Sequence, residues 1–301
     1  MNITLRQLQI FRAVAHTGST TAAALSVPLS QSATSAALAE LERGLKATLF
    51  DRVGKRLLLN DSGRLLLPMV LGVLDGARNI ESQFSSNEGA VRLDLRLFAS
   101  TTIGNYILPK LLASFGAVIP TTRLDVRIGN TLEVVNAVCD FSADLGLIEG
   151  HCHAPDIVVT PWMKDDLVIV AAPSHPLAKS AAQRKLSLAQ LRQAPWLLRE
   201  PGSGTGEAVQ VALLRHLSHI QATMTLGSSE AIKNSVAEGL GISWLSRAVV
   251  ADLIAAKRLT ALATRLPALS RVFSLIHHRN KTLSSGLSAF LLHCQVFART
   301  A

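Results

Sequence analysis

Two sets of side chains have the type and spacing to hold a small ligand. Ser100, Thr101 and Thr102 follow an alternating apolar run and precede a helical one, and Ser203 and Thr205 stand in the same relation to a second strand and helix. Hydroxyls beside the free N–H groups of a helix start make a neutral anion site. One exposed helix end contributes about 0.3–1 kcal/mol to an anion, so two facing ends would separate anionic from neutral ligands. Each of these residues also reads as a plain N-cap; their occurrence in both sets favours recognition. Glu149 closes a further apolar run, Asp144 to Ile148, on the same side. A carboxylate there disfavours an anion unless it is protonated or paired, and Arg199 is the partner the sequence offers.

A different chemistry is encoded near the N-terminus. Gln31, Ser32, Thr34 and Ser35 open a helix, and Arg43, Lys46, Arg52, Lys55 and Arg56 face one acid, Asp51, between positions 43 and 56. Glutamine reads adenine bidentately, serine and threonine bond bases or phosphates, and a compact cationic patch contacts phosphate without reading sequence.

Other motifs fail on spacing. The glycines at 202, 204 and 206 end in Glu207 and precede no Walker lysine, so no nucleotide cofactor is expected. Pro201 stands where a nucleophile elbow around Ser203 needs glycine. His151-Cys152-His153 puts two histidines on one side with no third ligand nearby, so no metal is expected. With no nucleophile–base pair and no cofactor fingerprint, the chain does not read as an enzyme. Cys139 and Cys294 read as small core residues.

These groups need elements to position them. Leu5, Leu8, Phe11, Val14 and Ala15 recur at helical spacing until Gly18. Ser19 or Thr20 caps a second helix that Pro28 stops, and Ser30 caps a third running to about Leu45 with Ala33, Ala37, Leu38 and Leu41 on one face. Two helices across a turn of about four residues form a helix-turn-helix, whose second helix enters the major groove. Val53 to Leu59 reads as a hairpin with basic residues at its tip and leucines inside. Leu66, Val70, Val73, Ala77, Ile80 and Phe84 then form a heptad seam suited to a dimer, with Pro68 near its start and a linker at Ser85 to Gly89.

From Val91 the period changes to two, with Val91, Leu93, Leu95 and Leu97 alternating with Arg92, Asp94 and Arg96. Strands are expected at Arg123–Ile128, Asp144–Ile148, Leu167–Ala172, Trp196–Leu198, Ala222–Leu226 and Gly241–Leu245. Helices are expected at Tyr106–Phe115, Leu132–Cys139 and Ser229–Glu238. Alternating strands and helices imply α/β layers with mostly parallel sheets and a ligand crevice at the strands' carboxyl ends.

Composition sets limits on all of this. At 301 residues and 49% hydrophobic, the chain holds two or three cores and is not disordered. The longest uncharged run near the start, Ala13 to Ala39, is broken by His16, Pro28 and Gln31 and cannot span a bilayer. Without a signal-like start the protein is expected in the cytoplasm, and three cysteines without metal spacing suit a reducing compartment. The net charge of +9 does not locate the DNA-reading part: residues 1 to 90 hold nine Lys/Arg against seven Asp/Glu, while the seven Lys/Arg after Asp252 face no acid. That basic C-terminal stretch has no role assigned by its sequence.

Leu5-Arg6-Gln7-Leu8 through Phe11, Gly18-Ser19, Ser30-Gln31-Ser32-Ala33, Leu41-Glu42, Leu49-Phe50-Asp51-Arg52 and Asn60-Asp61-Ser62-Gly63 together resemble the winged helix-turn-helix of LysR-type transcriptional regulators. Ser32 stands where the family often has Pro and Ala36 where it often has Arg, which shifts base reading toward Gln31, Thr34 and Ser35. Ser100 to Pro109, Asp144 to Gly150 and Glu238 to Ile242 resemble the family's two-lobed effector domain, similar to type 2 periplasmic-binding proteins. The resemblance implies an all-α winged helix-turn-helix head (1–60), a linker and dimerisation helix (61–90) and an α/β effector domain (91–301). Lobe I would take about 91–164 and 267–301, and lobe II about 165–266. Implied partners are double-stranded DNA, a small effector and further copies of the chain, as dimer or tetramer; no membrane is involved. Thr101-Thr102-Ile103-Gly104-Asn105 and Gly202 to Thr205 are similar to the YeiE-like and CysL-like branch, which implies a sulfur oxyanion such as sulfite as effector. A cationic or carboxylate effector, with Glu149 as anchor in the cationic case, is the alternative. A periplasmic-type solute-binding protein would need export and has no use for residues 1 to 90.

Overall fold

The computed structural model describes residues 3–84, 93–120, 122–217, 220 and 222–300. They fall into two units, Met1–Val91 with Asn280–Ser284, and Arg92–Arg279 with Ser285–Ala301. The linker expected at Ser85 to Gly89 and the strand start at Val91 lie outside the described residues.

In the first unit, α1 (Leu5–Thr17) starts with Thr4 and Gln7 bonding each other's backbone N–H groups and ends at Gly18, whose φ of 68° few other residues adopt. Ser19 caps α2 (Thr20–Ser26) and Ser30 caps α3 (Gln31–Leu45) through the N–H groups of Ala22 and Ala33. The hairpin β1 (Phe50–Val53) and β2 (Arg56–Leu59) pairs antiparallel, and α4 (Asp61–Phe84) follows. Phe11, Val14, Leu38, Leu41, Leu49, Val70 and Leu74 form the core.

Asn60 organises the hairpin-to-helix corner. Its Oδ1 accepts from Gly63 N at 2.9 Å and its Nδ2 donates to the Thr48 carbonyl at 2.9 Å. A Cβ on Gly63 would stand 2.1 Å from the Leu49 carbonyl oxygen, so only glycine fits there.

The second unit runs β3 (Leu93–Ser100), α5 (Thr101–Tyr106), α6 (Leu108–Val118), β4 (Thr122–Gly129), α7 (Thr131–Cys139), β5 (Leu145–Glu149) and β6 (Ile157–Ala171). It continues with α8 (Pro176–Gln183), α9 (Leu188–Arg192), β7 (Trp196–Arg199), α10 (Gly204–Leu217), β8 (Ala222–Leu226), α11 (Ser229–Ala237) and β9 (Ile242–Ser246). Last come α12 (Arg247–Ala255), β10 (Thr260–Ala261), β11 (Leu269–His278) and α13 (Ser285–Thr300). Parallel ladders join β3 to β4 and β5, and β7 to β8 and β9. One core surrounds Leu97, Phe115, Phe273 and Phe290, and another surrounds Trp196, Leu213 and Trp244.

Two expectations change. The single helix expected over Tyr106–Phe115 is two helices meeting at Ile107, because Pro109 suits only the first turn of a new helix. The expected boundary at 164/165 falls inside the 15-residue β6, whose Ile157–Leu167 part runs antiparallel to β11 from Leu269↔Leu167 to His278↔Ile157. These two strands serve both lobes, since β11 also pairs with β5 and β6 with β9. Two of the seven basic residues after Asp252 are buried, Arg271 and Lys281. Lys281 Nζ sits 2.7 Å from Asp75 within the first unit, both side chains almost fully buried, and Arg271 is buried on β11.

Candidate functional site

The carboxyl ends of β3, β5 and β7 and the start of α10 meet in the second unit. Ser100, Thr102, Glu149, Arg199, Ser203 and Thr205 are all buried there. Arg271 reaches in from β11. Its Nη1 donates to Thr205 Oγ1 at 2.8 Å and its Nε to Asp165 Oδ2 at 2.8 Å, while its Nη2 lies 2.7 Å from Glu149 Oε2. Ser246 Oγ donates to the other oxygen of Asp165 at 2.6 Å. Burial raises the Asp165 carboxyl above the ordinary range, opposed by Arg271 and the Ser246 hydrogen bond. The partner of Glu149 is therefore Arg271 and not Arg199, a correction to the pairing expected from sequence. Arg199 instead forks onto Glu200 and donates to Thr101 Oγ1 at 3.0 Å and Ser229 Oγ at 2.7 Å.

Four buried polar atoms of this region have no aligned hydrogen-bond partner: Ser100 Oγ, Thr102 Oγ1, Glu149 Oε2 and Arg271 Nη2. The short Glu149–Arg271 approach is a charge contact without hydrogen-bond alignment. A buried polar group left without a hydrogen bond costs about 1–3 kcal/mol, and two of these four, Glu149 Oε2 and Arg271 Nη2, offset part of that through their mutual charge contact. Ser100 makes no capping bond, and α5 is too short to act as a helix-end site. Ser203 does cap, accepting from Gly206 N at 3.2 Å.

Backbone holds the two sides of this region close. Thr131 Oγ1 donates to the Glu149 carbonyl at 2.8 Å and accepts from Gly204 N at 3.2 Å. A Cβ on Gly204 would lie 1.6 Å from that carbonyl oxygen, so the approach requires glycine. Beside it opens a groove of about 740 Å³ lined by Thr131, Asn136, His151, Ser203, Glu207 and Gln210 among others. The rings of His151 and His153 stand 6.1 Å apart, and burial pushes the Cys294 thiol up to about 12.

The first unit carries the other candidate surface. Gln31 and Ser32 are exposed at the start of α3, and Ser35 is half-buried, 2.9 Å from Gln31 Nε2. Thr34 is a correction: it is fully buried and its hydroxyl donates to the Ser30 carbonyl at 3.0 Å, so it cannot face a base. It shares the inward face with Leu38 and Leu41, at helical spacings of four and three. Arg52, Lys55 and Arg56 are exposed around the hairpin turn. Leu57 and Leu59 point inward, whereas Leu58 points out. The hairpin is tied to the end of α1 by Leu57 N donating to the Gly18 carbonyl at 2.8 Å.

Residues 5–64 match the bacterial regulatory helix-turn-helix proteins of the lysR family, and residues 88–298 match the LysR substrate binding domain. The chain is a LysR-type transcriptional regulator. It is 49% identical over 294 residues to the uncharacterized HTH-type transcriptional regulator YeiE of Escherichia coli K12, covering 98% of each chain. It is 32% identical over 270 residues to the HTH-type transcriptional regulator CysL of Bacillus subtilis, covering 90% of this chain and 89% of that one. Its fold follows that of a full-length OxyR variant from Pseudomonas aeruginosa, with a TM-score of 0.72, 20% identity, and coverage of 99% of this chain and 97% of that one. The regulator thus joins a DNA-binding head to a two-lobed effector domain and is not an enzyme. No helix among the described residues is long and apolar enough to cross a membrane.

Sequence reasoning missed Arg271, Asp165, Thr131 and Gly204 in the regulator's effector domain. One signal was available: seven Lys/Arg without an acid at the C-terminal end need acids elsewhere to pair with when some of them are buried.

Proposed function

We propose that this regulator senses a small anion at the buried hydroxyls of Ser100 and Thr102 and the guanidinium of Arg271, a sulfur oxyanion such as sulfite being the first candidate. The observation that carries this reading is that Ser100 Oγ, Thr102 Oγ1 and Arg271 Nη2, three atoms able to donate, are buried without aligned acceptors. Arg271 offsets negative charge from the two buried acids it lies between, Glu149 and Asp165. Thr101 and Arg199 brace the cleft from its two sides, while Ser203 and Thr205 hold the start of α10 and Arg271. A ligand at a hundredfold its dissociation constant raises folding stability by about 2.7 kcal/mol, readily seen as a melting shift. Sulfite should produce that shift, and Thr102→Ala and Thr205→Ala should each diminish it. If sulfite, thiosulfate and small carboxylates leave the melting temperature unmoved while cationic metabolites raise it, the ligand is a cation anchored on Glu149.

The proposed organisation is a head over 1–60, a linker helix over 61–90 and an effector domain over 91–301, acting in the cytoplasm on double-stranded DNA. Gln31, Ser32 and Ser35 supply the base-facing edge, and Arg52, Lys55 and Arg56 hold phosphate. Replacing the three basic residues with Ala should weaken binding to every sequence and reduce the salt slope by about 2–3, since each phosphate contact contributes about 0.9. Gln31→Ala should relax preference at one base position by about 1–3 kcal/mol. Mobility-shift titrations at several salt concentrations separate the two effects, and equal specificity in both variants would overturn this division. The exposed stripe of Leu65, Met69, Val73 and Ile80 on α4 is proposed to join two copies.

A further inference from the structure

We infer that the effector site selects oxyanions that retain a proton, with Glu149 as the residue that reads the O–H. The inference rests on the anion reading above and narrows its ligand class. Of the four buried atoms without an aligned hydrogen bond, Glu149 Oε2 differs from the rest, because a carboxylate oxygen accepts and its 2.7 Å approach to Arg271 Nη2 is a charge contact only. Asp165, the neighbouring acid, has both oxygens engaged, Oδ1 by Ser246 and Oδ2 by Arg271. The hydroxyls of Ser100 and Thr102 can donate to a ligand's oxygens, as can Arg271 Nη2 beyond its charge contacts with Glu149 and Asp165, while Glu149 Oε2 can accept a hydrogen bond from the ligand.

An oxyanion without a proton meets these requirements badly. One of its oxygens would face Oε2 with no hydrogen between them, and a sulfate or sulfite dianion brings one more negative charge into a site almost closed to water than a hydrogen-bearing monoanion does. A hydrogen-bearing oxyanion instead donates its O–H to Oε2 in a short, charge-assisted bond and accepts from Arg271 and the hydroxyls. Sites built to bond a ligand's hydroxyl reject analogues lacking it by roughly 10⁴-fold or more, because the buried partner is left unpaired. The charged groups facing Glu149 among the described residues are Arg271 from β11 and, beyond it, Asp165 from β6. From α7 and α10, Thr131 and Gly204 meet its backbone and do not titrate.

Titration calorimetry on the full chain tests this with inorganic phosphate, sulfate and sulfite between pH 6 and 8. Phosphate and sulfate share size and shape, and only phosphate carries a proton in this range. Phosphate should bind at least about a hundredfold tighter than sulfate. The apparent affinity for total sulfite should fall about tenfold for each pH unit above the point where its hydrogen-bearing form is lost. Glu149→Gln, which can itself donate, should admit sulfate and flatten the sulfite pH slope. Sulfate binding within a few-fold of phosphate, or pH-independent sulfite binding by the unmodified chain, would overturn the inference while leaving the anion reading intact. Should the cleft refuse both tetrahedral ions, the sulfite slope decides alone. A slope abolished by Asp165→Asn but not by Glu149→Gln places the proton on Asp165 and sinks the assignment. Absence of heat with all three anions overturns the anion reading itself.

Discussion

Arg271→Met should cost the regulator about 3–5 kcal/mol of stability, because it leaves Glu149 and Asp165 buried without their shared cation. For a unit of this size that corresponds to a fall in melting temperature on the order of 10 °C, measurable by calorimetry. Methionine keeps most of the volume, so the loss reports charge and not a cavity. Adding Glu149→Gln and Asp165→Asn to Arg271→Met should recover most of it, since removing all members of a buried ionic cluster is far cheaper than removing one. The pH dependence has a definite sign. Asp165 is raised in the folded state, so the native chain holds its proton more tightly than the unfolded chain does. Its contribution is present at low pH and declines as pH rises from the ordinary carboxylate range through the raised value. That decline should steepen in Arg271→Met, which loses the cation opposing the rise. A variant melting within 2 °C (about 0.5–1 kcal/mol) of the unmodified chain would show that Arg271 does not hold the cluster.

The second large effect is expected on assembly. Val73→Glu with Ile80→Glu places charge on the exposed apolar stripe of α4, where Val73 is 51% and Ile80 63% accessible. If two such helices pack together, each unpaired carboxylate costs several kcal/mol, and about 4 kcal/mol already weakens the dimer about a thousandfold. Sedimentation should then report a smaller species, and footprinting should show a half-site or nothing. Val70→Glu serves as the contrast. Val70 is 2% accessible and belongs to the core of the head, so a charge there should unfold the head. An unchanged oligomer in Val73→Glu/Ile80→Glu moves the contact off this stripe.

The helix also shows where the apolar faces lie relative to the seam expected from sequence. The heptad seam reads as Leu66, Val70, Val73, Ala77, Ile80 and Phe84, but Val70 is committed to the head's own core and Leu66 packs against it. The outward line is Leu65, Met69, Val73 and Ile80; the side chain of Phe84 lies outside the described residues. A helix that is apolar on two faces gives one periodic signal, and only the packing tells which face is already used. Thr34 fails for the same reason: position near a helix start suggested the DNA side, whereas the 34–38–41 spacing turns it inward.

Local features were legible along the chain: the caps at Ser19 and Ser30, the stop at Gly18, the basic hairpin, the change of period after the linker, and the colinear motifs of the LysR family. Each of these depends on neighbours within a few residues, where hydrogen-bond geometry and side-chain period act directly. The pairing of charges across the fold was settled only by packing. Glu149 is joined to Arg271, 122 positions away by their numbers, and Asp75 to Lys281. Arg271 arrives on a strand whose own sequence, Leu269 to His278, announces no partner, and the antiparallel register of β11 against β5 and β6 brings it to both acids. A buried ion's partner is fixed by which strands lie side by side, and that is a property of the closed core, so no spacing along the chain records it.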